Sequence, residues 1–118
     1  MSASSFQDLM VWREAHKLVL LVYKMTESFP KTEQFGLTSQ MRRAAVSVPA
    51  NIAEGFKRHS KQEKIRFYNI SEGSLEELKY YLILSKDLLF STDIQISEQA
   101  ESVSRLLYRF IESLRDPR

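Results

Sequence analysis

Apolar residues recur along this chain at the three- and four-residue spacings of a helix, in four blocks separated by short polar or proline-bearing stretches. The first block is predicted to start near Asp8, a good N-cap residue, and to run to about Ser28, where Phe29-Pro30 stops it. Val11, Trp12, Ala15, Val19, Val22, Tyr23, Thr26 and Phe29 share one face, and Met10, Leu20 and Leu21 fall outside it. The second helix, from about Leu37 to Arg58, turns Leu37, Met41, Ala44, Ala45, Val48, Ile52, Gly55 and Phe56 to one side. Its opposite side carries Val46, Ala50 and Ala53 between Arg42, Arg43, Lys57 and Arg58. A helix with two apolar stripes has two neighbours, so Val46, Ala50 and Ala53 are the expected oligomer interface. Pro49 lacks a backbone donor and crowds the Ala45 carbonyl, which predicts a kink or short break.

Ser60-Lys61-Gln62-Glu63 fits a capping box and starts a third helix that extends to Phe90, roughly 31 residues and ~46 Å at the α-helical rise. Phe67, Ile70, Ser71, Ser74, Leu75, Leu78, Tyr81, Leu82, Leu88 and Leu89 form its broad stripe, and Gly73-Ser74 makes a notch read as a close helix contact. STDIQISEQ is a turn in which Ser97 is expected to cap the last helix. Ala100, Val103, Leu106, Leu107, Phe110, Ile111 and Leu114 then lie opposite Glu101, Arg105, Arg109 and Glu112, so this helix has one apolar side and is expected to face solvent in an assembly. The fold class is all-α, an up-down-up-down antiparallel four-helix bundle, with residues 1–7 as a short tail and 8–116 as one domain.

Composition changes the picture little, because 43% apolar and 27% charged residues are ordinary for a globular domain of 118 residues. Charge distribution changes it more. Residues 37–66 hold Arg42, Arg43, Lys57, Arg58, Lys61, Lys64 and Arg66 against Glu54 and Glu63, a net +5, which leaves −3 for the rest of a chain whose total is +2. Such asymmetry marks either a polyanion-facing surface or a solvated charged face. Cysteine is absent, which excludes disulfides and thiolate metal sites. Nothing has the form of an export signal, and the apolar segment Leu18–Tyr23 is too short to span a membrane, so a cytoplasmic location is expected.

The run RRAAVSVPANIAEG, followed by SKQE and ISEGSLEEL, resembles the signature of a four-helix-bundle family first recognised as products of intervening sequences inside large-subunit (23S) ribosomal RNA genes. Accessory proteins of diversity-generating retroelements are similar. The resemblance runs from Leu9-Met10-Val11-Trp12 through FP-x-x-E-x-FGLT-x-Q to the last helix. It implies a helical protomer, a barrel-like homopentamer with a basic surface, and nucleic-acid binding without established catalysis. Ser71, where the family commonly has alanine, and Lys79-Tyr80-Tyr81, in a variable segment, depart from the pattern and leave partner specificity open.

A di-iron bundle needs inward Glu-x-x-His pairs, but Arg13 precedes His16 by three residues and Phe56 precedes His59, so no metal is expected. Gly36, Gly55 and Gly73 are isolated and make no phosphate loop, and no triad has a supporting context, so neither a cofactor nor enzymatic activity is expected. RNA or DNA binding through Arg42, Arg43, Lys57, Arg58 and Lys61 is the working hypothesis, with charge as the main attraction. The structural alternative pairs Glu54 with Lys57 or Arg58 and uses Arg42 or Arg43 across a subunit contact. Tyr68, Tyr80 and Tyr81 either stack on bases or, as preferred, pack in the core or an interface. Asn51 and Glu54 are read as organisers of hydrogen bonds between helices. The competing function is a protein-interaction scaffold, such as an accessory subunit of a reverse transcriptase.

Overall fold

Four α-helices account for most of the described residues, which are 3–91 and 93–115 of a computed structural model. They are α1 (Met10–Thr26), α2 (Leu37–Phe56), α3 (Lys61–Asp87) and α4 (Ile94–Arg115), with short 3-10 turns at Phe6–Asp8 and Lys31–Glu33. Each helix packs on its neighbours in the cycle α1–α2–α3–α4. Successive helices run antiparallel. His16 and Val19 flank the same groove as Val46 and Pro49, while Tyr23, further along α1, meets Arg42, further back along α2. On the α2–α3 seam Gly55 meets Tyr68 and the Val48 carbonyl accepts from Ser71; on the α3–α4 seam Tyr68 meets Phe110 and Lys79 meets Glu101. The result is an elongated body of 49 × 23 × 20 Å.

The core takes Val11, Ala15, Leu18, Val22, Met41, Ala45, Val48, Ile52, Leu75, Leu78, Val103, Leu107 and Ile111 out of water. Burying such side chains stabilises the bundle by roughly 1.5–3 kcal/mol for each large one. Small residues set the closest approach: a Cβ added to Gly55 would stand 2.6 Å from Tyr68 Cε1. Helix α2 is continuous through Pro49, which is itself buried.

Several boundaries and face assignments differ from expectation, each for a local reason. Asp8 does not open α1; its carboxylate accepts from the Ser4 and Ser5 amides and closes a 3-10 turn, and these bonds hold its pKa below the usual value. Ser97 does not cap α4, because Asp93 accepts from the Gln95 amide and adds a turn that buries Ile96. Helix α3 ends at Asp87 rather than Phe90, since Leu89 turns left-handed at φ 64° and the Phe90 amide bonds back to Ser85. Leu18 is in the core and Tyr23 is at the rim; Ile70, Leu88 and Leu89 are exposed. Gly73 is no contact point within the protomer, as nothing lies within 4 Å of where its Cβ would be. The first two residues of the Ser-rich start, Thr92 of the turn and the expected domain end at residue 116 lie outside the described residues.

Candidate nucleic-acid interface

The cations singled out in the sequence fall into two groups, because α2 carries Arg42 and Arg43 in its first half and Lys57 just after its end, ~22 Å away at the helical rise. The second group sits on the four-residue link from α2 to α3 and the first turns of α3. This hairpin is closed by side chains: Ser60 Oγ accepts from the Glu63 amide, and the Lys64 ammonium donates to the Phe56 carbonyl at 2.7 Å, satisfying a carbonyl at the end of α2. Lys57 and Lys61 project into solvent with no ion pair or side-chain hydrogen bond among the described residues. Arg58 pairs with Glu54 at 2.7 Å, and Arg66 with Glu63 at 3.5 Å. Both guanidinium groups also face the Phe67 ring, at 5.2 and 4.8 Å from its centroid. Surface pairs of this kind contribute about 0–1 kcal/mol, so they exchange readily for a phosphate.

Arg42 is committed elsewhere. Its Nε donates to Thr26 Oγ1 at 2.8 Å and Nη2 to the Tyr23 carbonyl at 3.3 Å, while the guanidinium lies 4.5 Å from the Tyr23 ring centroid. It therefore ties α2 to the last turn of α1, where free carbonyls favour a cation. Arg43, one residue on, is turned by about 100° and is exposed.

The aromatic candidates separate as well. Tyr68 is 1% exposed, packs on Phe110 at 4.9 Å, and burial pushes its phenol pKa up to about 12. Tyr81 donates to Glu77 at 2.8 Å, and Tyr80 is exposed beside it. Asn51 donates to the carbonyl and hydroxyl of Ser47 within α2, and Ser47 in turn meets Ser74 of α3 at 2.8 Å. Glu54 pairs with Arg58 on the link that follows its own helix.

Val46 and Ala50 are exposed and Ala53 is half-buried. With Trp12, His16 and Val19 of α1 they line an apolar groove of about 270 Å³ on the outside of the bundle. Phe6 extends it, packing edge-on against Trp12 at 5.1 Å, so the segment read as a tail is folded onto the groove's rim. Phe35 and Tyr23 are surface aromatics, Tyr23 in spite of its place on the apolar face of α1. Phe35 is 89% exposed, a placement foreshadowed only by its position beside Gly36 in a connection. Among the described residues no helix is long and apolar enough to cross a membrane, and no three His, Asp or Glu side chains are grouped to hold a metal.

A sequence model of the 23S rRNA-intervening sequence protein family matches residues 7–109. A crystal structure of a protein of unknown function from the S23 ribosomal protein family of Bacteroides thetaiotaomicron superposes with a TM-score of 0.78 at 22% identity, covering 86% of this chain and 95% of the other. No curated protein is significantly similar.

Proposed function

The chain belongs to the 23S rRNA-intervening sequence protein family, and on that premise we propose that it is a non-enzymatic, oligomeric protein that binds RNA or DNA through its basic hairpin. The observation that carries this reading is that Lys57 and Lys61 stand in solvent at one end of the bundle, next to Arg58 and Arg66, whose only ion pairs among the described residues are weak and local. A phosphate backbone meets such a surface by counterion release and needs no shaped pocket. The groove of Val46, Ala50 and Ala53 is the proposed contact between copies, in a homopentamer as the family resemblance implies. A ring repeats the hairpin and adds avidity that one modest patch lacks.

Light scattering followed by anisotropy titration with mixed RNA and DNA pools tests this directly. The expected result is an oligomer whose affinity falls steeply as salt rises. A salt-insensitive or undetectable affinity contradicts the reading.

A second reading, a scaffold or accessory subunit for another protein, is favoured by the opposite end of the bundle. There Leu89 is 86% and Ile94 69% exposed, which serves nothing within the protomer. An oligomer that binds no nucleic acid but loses a protein partner on Leu89→Ser and Ile94→Ser substitution supports this alternative.

A further inference from the structure

The hairpin leaves Arg43 without a role, and the space beside Arg43 has a shape of its own. An open groove of about 660 Å³ lies between Tyr23 near the end of α1, the Gln34–Phe35 connection and the part of α2 from Thr38 to Ser47, where Val46 is shared with the proposed subunit contact. That volume is typical of sites for small organic ligands. One wall is the Tyr23 ring with the Arg42 guanidinium laid over it at 4.5 Å, held by the bonds to Thr26 and the Tyr23 carbonyl, so the wall is set before anything binds. Phe35 also lines the groove, its ring almost wholly in water. The backbone that carries it is not loose: the Gly36 amide bonds to the Glu33 carbonyl at 3.0 Å and the Leu37 amide to Glu33 Oε1 at 2.9 Å. That bond seats the Glu33 carboxylate at the α2 N-terminus, where its negative charge opposes a second anion.

Arg43 reaches the edge of this groove with no ion pair or side-chain hydrogen bond among the described residues. Arg43 and Ser47 also border a second, more polar groove of about 340 Å³ that contains Gln40, Ser74 and Glu77. The Glu77 carboxylate, which accepts from Tyr81, repels an anion there and leaves Arg43 as the phosphate position. Flat aromatic surface, a preset guanidinium stack and one free guanidinium at the junction of two grooves match a nucleobase that carries a phosphate.

We propose that this groove binds one unpaired nucleotide, with the base against Phe35 and the Tyr23–Arg42 wall and the phosphate on Arg43. The inference rests on the nucleic-acid reading above and adds to it a preference for unpaired residues. The nucleotide comes either from a single strand or from a free nucleoside monophosphate.

The test compares a labelled 12-nucleotide single strand with the same sequence as a blunt duplex, by anisotropy at fixed salt, on the intact protein and on Phe35→Ala and Arg43→Ala. Adenosine monophosphate serves as competitor, and light scattering follows each variant. The expected result is that Phe35→Ala weakens single-strand binding by roughly 5- to 100-fold, the range of one lost base stack. Duplex affinity and oligomer mass stay unchanged. Competition by millimolar monophosphate identifies a free nucleotide as the source, and its failure identifies a strand. If the protein binds both nucleic acids and Phe35→Ala binds the single strand as tightly as the parent, this inference fails while the hairpin reading stands. If Phe35→Ala changes the oligomer mass, the groove is a subunit contact and the inference is overturned. If neither nucleic acid binds, the hairpin reading fails, and an NMR titration with monophosphate decides the groove: shifts at Phe35 and Arg43 uphold it, and their absence ends both.

Discussion

The two ends of the bundle reverse the chain by opposite means. At the α2–α3 end, Gly55 seats Tyr68, Ser60 caps α3 and Lys64 caps α2, so the turn is sealed by its own side chains. Lys57 and Lys61 are then surplus to the fold and stand clear. At the other end α3 stops in a left-handed leucine instead of a glycine, and Phe35, Leu88, Leu89 and Ile94 are left in water. There the arginine nearest the turn, Arg42, is drawn into the structure. Charge spent on holding helices together is not available to a ligand, and two basic clusters that look alike in sequence are therefore not equivalent.

The sharpest break in this contrast is Gly55→Leu. A larger side chain must displace the Tyr68 ring from 2.6 Å and is expected to destabilise the protein by roughly 1–3 kcal/mol, read by urea unfolding. Next in size, Arg42→Ala removes two hydrogen bonds and a stacked cation, an expected loss of about 1–2 kcal/mol, whereas Arg43→Ala stays within about 0.5 kcal/mol. Equal effects for the two arginines would dissolve the distinction drawn between them.

Tyr68 gives the sealed end a pH signature. The phenol ionises at about 12 when folded and near 10 when unfolded, so the unfolded chain releases its proton first. Its contribution is complete below pH 10 and is lost as pH rises from 10 through 12. Tyr68→Phe is expected to flatten that part of the decline in a denaturation series. At the open end, Leu89→Gly relieves a left-handed leucine and is expected to raise stability by up to about 1 kcal/mol, partly offset by a more flexible unfolded chain.

Much of this architecture was legible in the chain, and the misses have physical causes. The 3-4 spacings located all four helices, and the second stripe of α2 did leave Val46 and Ala50 outside the core. Leu18 lies outside the stripe that spacing picks out on α1, because that stripe is centred too near α2; Glu14, one turn earlier, meets Gln99 of α4 and shows where that face turns. Spacing puts Tyr23 inside because it treats the ring as apolar, whereas Arg42 holds it at the rim. Ser97 and Asp93 are equally good caps by residue type, and burial of Ile96 decides between them. The end of α3 carries no glycine or proline, so no local signal marks it; Phe90 is instead drawn out to meet Phe29 at 5.4 Å. Among the candidate site residues, spacing could not separate Arg42 from Arg43, because only the position of Thr26 and Tyr23 on a neighbouring helix does so.

The central claim is that the surplus charge of the sealed hairpin engages phosphates. The smallest structural change and the most direct functional one coincide in Lys57→Glu with Lys61→Glu, which is expected to alter stability by no more than about 0.5 kcal/mol. The deciding measurement is the slope of log affinity against log salt for the parent and this variant on the same RNA and DNA pools. A steep parent slope, reduced by about 2 where one protomer loses both phosphate contacts, is the predicted result. An unchanged slope, or a parent that binds without regard to salt, would contradict the account.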